Sequence, residues 1–220
     1  RDKKNDISAL ASSVDKSFKS TSIETVFFIE IDRQNDTAVI ENITKELHSV
    51  VSNIEVAVND WTKMKTQLRS VIDETKKAKL PCSKIEHKES VDFLEWLLAD
   101  NFTLLGFRSY DIKAVKGDFA LCADASSSLG LMNLYGGNRD RLLSTLSESA
   151  RQIALGDNLL ILTKTNAKSR VHRPAHLVYI GVKRFDSKGN VVGEERFIGL
   201  FSSAYYTNSA LDLPLIKSKV

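Results

Sequence analysis

Three cationic residues in one short stretch are the strongest candidates for binding chemistry in the sequence. Arg170, His172 and Arg173 lie within four positions, just before a predicted strand. Arginine guanidinium groups bind carboxylates and phosphates through paired N–H donors. We therefore hypothesise that these residues bind an anionic ligand or form a contact with another domain or subunit. A solvated loop stays open as the alternative.

Two histidines have a spacing that would suit a metal site on a helix. His172 and His176 are four residues apart, as in helical zinc motifs. Pro174 lies between them and the neighbouring residues are typical of a strand, so the imidazoles would not share a helical face. We predict a local hydrogen bond or solvent exposure for each histidine, and no metal site.

The motifs of cofactor binding and nucleophilic catalysis are incomplete. The glycines between positions 130 and 137 form no G-x-G-x-x-G and no phosphate-binding loop with its lysine. The serines at 126–128 lack a surrounding G-x-S-x-G. Glu194 and Glu195 are adjacent on a predicted strand and would point to opposite faces, unlike a glycosidase pair. The sequence predicts no catalytic, cofactor-binding or metal-binding residue.

Composition and charge exclude several classes of function. The chain has 220 residues, with 31 basic and 28 acidic side chains and a net charge of +3. This balance does not indicate a nucleic-acid-binding protein, which usually has a concentrated basic face, and the basic cluster from Lys76 to Lys88 is interpreted as a solvated linker. No apolar run reaches the roughly 20 residues of a membrane span. Cys82 and Cys122 are far apart and form no C-x-x-C pair, as expected of free thiols in the cytoplasm. Without an initial Met or a signal peptide, the chain is expected to be a fragment of a longer cytoplasmic protein.

The second half of the sequence predicts an antiparallel sheet of the PAS type. Its clearest feature is a hairpin, because two β-branched and aromatic runs flank a polar turn at residues 186–190. Two strands precede a helical excursion, and three strands follow it. The predicted ranges are strands at 103–112, 119–122, 159–165 (buried), 175–185 and 191–201, and a helix at 141–155.

The first half predicts half of a small α/β sandwich followed by helices. Residues 25–31 and 54–58 are predicted as strands, with a helix at 37–51 between them. Asp60 is predicted to cap a helix that begins at Trp61. A basic stretch near residues 76–86 would separate this part from a further helix at 90–98.

Three stretches of the sequence carry a family resemblance. The first is FIEIDRQ at 28–34 with AVNDW at 57–61, and the second is FLEWL at 93–97 with NFTLLGFRSY at 101–110. The third, which is the most specific, is SRVHRP at 169–174, YIGVKRF at 179–185 and RFIGLF at 196–201. Together they resemble the N-terminal regulatory region of the large bacterial NAD-dependent glutamate dehydrogenases.

This resemblance implies a fold, a function and a set of partners. The fold would be α+β, with a PAS-like five-stranded antiparallel sheet that has helices on one side. A partial ACT-like domain (1–60) and a helical connector (61–89) would precede the PAS-type domain (90–210), and residues 211–220 would begin the next element. The parent enzyme would be a cytoplasmic, oligomeric oxidoreductase of amino-acid catabolism that uses NAD, whereas this segment would hold neither NAD nor the active site. Its partners would be other domains and subunits and a small-molecule effector, without nucleic acid or membrane.

Two other functions stay open beside a regulatory and assembly role. One is a small-molecule-sensing module, which would need polar residues on the concave face of the sheet. The other is a purely structural oligomerisation scaffold. The inward residues predicted from the sequence are apolar, which favours a filled core over a roomy cavity; they are Leu105, Phe107, Ile161, Val182 and Phe197.

Overall fold

The structure, a computed structural model, describes residues 26–78, 80–115, 117–134, 140–203 and 214–215. These residues belong to two compact units, one ending at Ile43 and the other beginning at Thr44. Most of the predicted segment 211–220 and Thr25 lie outside the described residues. The helices are α1 (Thr37–Asn59), α2 (Trp61–Lys77), α3 (Lys84–Trp96) and α4 (Glu148–Leu155).

Both strands predicted in the first half are wrong. Residues 26–36 have no regular structure, and Phe27 and Phe28 are 80% and 87% exposed. Apolar β-branched composition alone does not hold a strand without a neighbouring strand to pair with. Residues 54–58 instead continue α1, because Asn53 and Ala57 are buried at helical spacing. The strand–helix–strand half of an ACT-like sandwich is therefore not formed by the described residues.

The helices that follow were predicted more accurately. Helix α2 begins at Trp61, as expected, but the Asp60 side chain makes no capping hydrogen bond. Helix α3 begins six residues earlier than the predicted Ser90, because Ser83 Oγ accepts a hydrogen bond from the amide of Glu86 (3.2 Å). The buried face of α2 is Met64, Leu68, Val71, Ile72 and Thr75.

The second half forms one antiparallel sheet whose strands lie in the order β4-β2-β1-β7-β6-β5, with β3 beside β1. The predicted hairpin is confirmed as β6 and β7, joined at residues 186–190. Two strands, an insert and three further strands are consistent with a PAS-like sheet. The bounds are β1 (Phe102–Val115), β2 (Asp118–Ala123), β3 (Leu129–Gly130), β4 (Arg141–Leu142), β5 (Leu160–Lys168), β6 (His176–Phe185) and β7 (Val191–Phe201).

Two predictions in the insert and at the sheet edge need correction. Of the predicted helix at 141–155, only the part from Glu148 onward forms an α-helix, α4. Arg141 and Leu142 pair with β2 instead, and Ser147 caps α4 by accepting a hydrogen bond from the amide of Ala150 (3.3 Å). Strand β5 is predicted to be buried, but among the described strands it lies at the edge of the sheet and pairs with β6 alone. Its residues are accordingly half-buried or exposed.

The sheet has two faces with different covers. On face A, which includes Phe107, Ile180 and Phe197, the side chains pack against α2 and α3 in one hydrophobic core. On face B, Leu105, Ile198 and Leu200 pack against Leu131 and Met132 of the insert and Ala57 of α1. Helical elements therefore contact both faces, whereas the sequence predicted helices on one side. Face B also carries the polar side chains described next.

Candidate ligand site on the polar face of the sheet

Strand alternation places four polar side chains together on face B. They are Tyr110 of β1, Tyr179 of β6, and Glu194 and Arg196 of β7, and we call them the tyrosine–arginine cluster. Tyr110 lies directly opposite Glu194 in the β1–β7 ladder. Glu194 and Arg196 are two residues apart on β7, so both side chains point to the same face.

The cluster fixes the position of one guanidinium group. The guanidinium carbon of Arg196 lies 3.9 Å from the centre of the Tyr110 ring and 4.8 Å from that of Tyr179. Its Nε donates a hydrogen bond to Glu194 Oε1 (3.2 Å), and the Tyr179 hydroxyl donates to the same oxygen. Cation–π contacts and a charge-assisted hydrogen bond together restrain the arginine plane.

Protonation states in the cluster follow from burial and from the neighbouring charges. Burial and the Glu194 carboxylate both raise the pKa of the Tyr179 hydroxyl, so it stays protonated. Burial opposes the charge of Arg196, but Glu194 and the two tyrosines outweigh this effect and raise its pKa. The cluster therefore presents a permanent cation held by a neutral tyrosine and a buried carboxylate.

A glycine on the neighbouring strand makes room for these contacts. Gly181 lies opposite Arg196 in the β6–β7 ladder. A Cβ atom at this position would lie 2.6 Å from Glu194 Oε1 and 3.0 Å from the Tyr179 hydroxyl. Any side chain larger than glycine would displace the hydrogen bond between Tyr179 and Glu194.

Two buried cations on the same face tie the sheet to the insert and to the loop before β5. Lys183 Nζ donates to the carbonyl of Gly156 (2.7 Å) and to Asn158 Oδ1 (3.3 Å), and burial lowers the lysine pKa to about 8. Arg108 Nε donates to Ser128 Oγ (2.7 Å), and another of its nitrogens donates to the carbonyl of Met132. These contacts hold covering segments over face B.

The cover of face B is incomplete at the cluster. Tyr179 is half-buried, and the side chain of Arg196 keeps 22% of its surface exposed. Thr163, the partner of Tyr179 on the edge strand β5, is exposed. By contrast, Lys183 and Arg108 are each only 3% exposed. Arg196 is therefore in contact with solvent, whereas Lys183 and Arg108 are not.

The opposite face carries a separate ion network. Arg184 bridges Asp111 (2.5 Å) and Glu195 (2.9 Å) and also donates to the carbonyl of Tyr110 (2.9 Å). The Arg184 hydrogen bond holds the pKa of Asp111 below its usual range, whereas burial raises the pKa of Glu195. Glu194 and Glu195 lie on opposite faces, as predicted. The network joins β1, β6 and β7 and is structural in character.

The three cations singled out from the sequence contact different partners. Arg170 forms an ion pair with Glu46 of α1 and donates to Ser49 Oγ (3.2 Å). Arg173 donates to the carbonyl of Phe201 (2.6 Å), and His172 lies between them with a φ of 71°. The structure does not gather the three side chains into one pocket. Their use as ligand or interface residues stays a prediction.

The two histidines are placed differently, and His172 is exposed to solvent. His176 Nδ1 lies 3.0 Å from the carbonyl of Thr165, which confirms the predicted local hydrogen bond for this residue. Across the described ranges, no group of three or more His, Cys, Asp or Glu side chains could hold a metal ion.

Sequence reasoning missed the tyrosine–arginine cluster. The pair Glu194 and Arg196 could have been found, because strand alternation places residues two apart on one face. Tyr110 and Tyr179 could not, because the register between strands is not visible in a single sequence. Of the residues predicted to point inward, Phe107, Val182 and Phe197 lie in the face A core instead.

Sequence comparisons connect the chain to one group of enzymes. No family model matches it. It is 32% identical over 199 residues to the NAD-specific glutamate dehydrogenase of Halomonas elongata and 33% identical over 202 residues to that of Pseudomonas aeruginosa. The enzyme of the same name from Mycobacterium tuberculosis is 26% identical over 182 residues. These alignments cover 90%, 92% and 82% of this chain, respectively.

Structure comparison adds little to this connection. The periplasmic sensory domain of a Campylobacter jejuni chemoreceptor aligns with 74% of this chain and 65% of its own, at 13% identity and a TM-score of 0.26. A superposition this loose does not establish a shared fold. Among the helices that the structure describes, none is long and apolar enough to cross a membrane.

The chain matches only a small part of each relative. The chain spans 12% of the Halomonas and Pseudomonas proteins and 10% of the Mycobacterium protein. Three relatives of one name nevertheless match most of this chain, which confirms the resemblance noted in the sequence. The chain is a relative of a segment, about one tenth in length, of the large NAD-specific glutamate dehydrogenases.

Proposed function

We propose that this chain is a non-catalytic regulatory and assembly segment of a large NAD-specific glutamate dehydrogenase. The whole enzyme would convert L-glutamate, NAD and water to 2-oxoglutarate, ammonia and NADH in the cytoplasm. The observation that carries the proposal is the match over nine tenths of this chain to only 12% of its relatives. NAD binding and hydride transfer would then belong to other parts of the longer protein.

A PAS-type domain fits this role because it offers two separate surfaces. Face A is filled by the apolar core under α2 and α3, which gives the domain a rigid body. Face B carries a charged cluster that solvent can reach. A ligand or a neighbouring subunit that binds one conformation of such a domain more tightly than another shifts the conformational equilibrium of the whole enzyme.

A second candidate function is small-molecule sensing by this segment. The tyrosine–arginine cluster favours it, because polar residues on the covered face of the sheet are what distinguishes a sensing domain from a filled scaffold. Arg196 and Tyr179 remain partly exposed. The scaffold alternative predicts that these side chains serve stability alone.

The test compares the full-length protein with the 220-residue chain in one assay. Each is incubated with L-glutamate and NAD, and NADH formation is followed by its absorbance. We expect turnover by the full-length protein and none by the chain alone. A full-length protein that forms no NADH from glutamate would refute the enzyme assignment. NADH formation by the chain alone would refute the non-catalytic role.

A further inference from the structure

We propose that the tyrosine–arginine cluster binds the carboxylate group of a small organic acid, with Arg196 as the residue that holds it. The regulatory meaning of this site rests on the proposed function, but binding itself is a property of this chain. Three features of the molecule support carboxylate binding: the charge of face B, the orientation of Arg196 and its exposure.

The charge on face B favours an anion. Arg108, Lys183 and Arg196 point to this face, and Glu194 lies among them. The carboxylates of Glu194, Asp157 and Glu86 all act on Lys183, so the positive charge that attracts an anion comes from the two arginines. The guanidinium of Arg196 is partly desolvated, and a charge in such a setting attracts an anion more strongly than on an open surface.

The orientation of Arg196 suits a carboxylate. Its Nε is used by Glu194, and a guanidinium group has four further N–H donors on its terminal nitrogens. The rings of Tyr110 and Tyr179 hold the guanidinium plane, so little side-chain freedom is lost when a ligand binds. Two parallel hydrogen bonds from such a fork match the two oxygens of a carboxylate.

Access limits the ligand to a small molecule with one anchoring group. Of Arg108, Lys183 and Arg196, Arg196 is the one that keeps part of its side chain exposed, because Arg108 and Lys183 are buried and bonded to the covering segments. A phosphate group usually binds several cations or a set of backbone amides. One accessible guanidinium between two aromatic rings is better matched to a carboxylate whose carbon chain lies against the rings.

The first experiment is isothermal titration of the 220-residue chain with a matched set of compounds. The probes are glutarate, L-glutamate and 2-oxoglutarate, with glutaramide as the uncharged analogue of glutarate and inorganic phosphate as the competing anion. We expect binding of at least one carboxylate and none of glutaramide or phosphate. No binding of any carboxylate to a chain that unfolds cooperatively would overturn the proposal, and so would phosphate or glutaramide binding as tightly as the acids.

Two conservative variants locate the site. Arg196→Lys keeps the charge beside Glu194 but removes the fork, so we expect affinity for the acid to fall about tenfold or more. Arg151→Lys is the matched control, because Arg151 is also a partly exposed arginine paired with a glutamate, Glu148. The control is expected to bind as the parent does. Equal affinity of the parent and Arg196→Lys, or loss of binding in Arg151→Lys, would overturn the assignment.

A third variant keeps the proposal testable if Arg196→Lys does not fold. Tyr179→Phe keeps the ring but removes the hydroxyl that donates to Glu194, so Glu194 competes more strongly for Arg196 and the acid binds more weakly. Unchanged affinity in this variant would count against the cluster. Binding by the chain together with an inactive full-length protein would leave the site standing and refute the enzyme assignment. An active full-length enzyme whose segment binds no acid would refute the site and leave the enzyme assignment standing.

Discussion

Replacing Asp60 by alanine tests how the helices are tied to the insert. Asp60 lies between α1 and α2 and, instead of capping α2, reaches across to the insert. Its Oδ2 accepts hydrogen bonds from the amide of Gly130 (2.9 Å) and from Asn133 Nδ2 (3.3 Å). Its Oδ1 accepts from Lys63 Nζ (2.9 Å). Asp60→Ala removes all three acceptor contacts at once.

Most of the stability lost in Asp60→Ala comes from the missing hydrogen bond to the Gly130 amide. This amide is part-buried, and hydrogen bonds to charged groups contribute about 1.5–3 kcal/mol. The pair with Lys63 adds little, because the lysine side chain is 68% exposed. A loss of about 2 kcal/mol in a chain of this size corresponds to a fall in Tm of about 4–8 °C.

The effect should depend on pH. Burial raises the pKa of Asp60, but hydrogen bonds from Gly130 and Lys63 outweigh it and lower the pKa below the ordinary value of 3.8. Because the folded pKa is depressed, the stabilisation is present above pH 3.8 and is lost as the pH falls through the folded pKa. The difference in stability between the parent and Asp60→Ala should therefore shrink in acid.

Thermal unfolding followed by circular dichroism measures both effects. Asp73→Ala is the control, because Asp73 is an exposed aspartate of α2 and is expected to change Tm little. If Asp60→Ala unfolds at the same temperature as the control at neutral pH, or if its deficit persists unchanged in acid, the tie between Asp60 and the insert is refuted.

Three further substitutions probe the sheet. Phe197→Ala empties a core position 4.9 Å from the Phe107 ring, and we expect denaturant unfolding to show a loss of about 3–5 kcal/mol; a loss below about 1 kcal/mol would contradict this packing. Burial lowers the pKa of Lys183 from 10.5 to about 8, so the unfolded chain binds more protons between these values. Unfolding measured across this interval should show the parent gaining stability over Lys183→Met as the pH rises, whereas a constant difference would argue against a buried amine. Arg184 lowers the pKa of Asp111, so Asp111→Asn should cost under about 1 kcal/mol at neutral pH and nothing well below the Asp111 pKa, as an acid unfolding titration would show; a deficit that survives in acid would exclude this ion pair as its cause.

The hairpin shows what a single sequence predicts well. Its strands alternate in character, and a polar turn separates them, so local pattern and tertiary pairing agree. The structure accordingly has β6 and β7 within one residue of the predicted bounds. The same agreement between local pattern and packing held for α2.

The first half shows where local pattern fails. Residues 54–58 alternate apolar and polar residues as a strand would, but Asn53 and Ala57 also share a helical stripe, and the helix already begun at Thr37 continues through them. Five residues are too few to distinguish the two-residue period of a strand from the 3.6-residue period of a helix. Residues 26–31 have strong strand propensity but no strand beside them among the described residues.

The candidate site depends on contacts that a sequence does not show. The sequence points to Arg170 because basic residues are concentrated around it, yet its carboxylate partner, Glu46, is 124 residues away. The sequence does not point to Arg196, because its partners Tyr110 and Tyr179 lie on two other strands. Register between strands brings these groups together, and register is set by the whole sheet.

The most direct test of the regulatory role is the rate of glutamate oxidation by the full-length protein at increasing concentrations of 2-oxoglutarate. Parent and Arg196→Lys proteins are compared in the same assay, so inhibition by 2-oxoglutarate at the catalytic site is common to both. We predict that the two rate curves differ in their dependence on 2-oxoglutarate. Superimposable curves from two proteins of equal Tm and equal oligomeric state would contradict it and leave the segment as a scaffold.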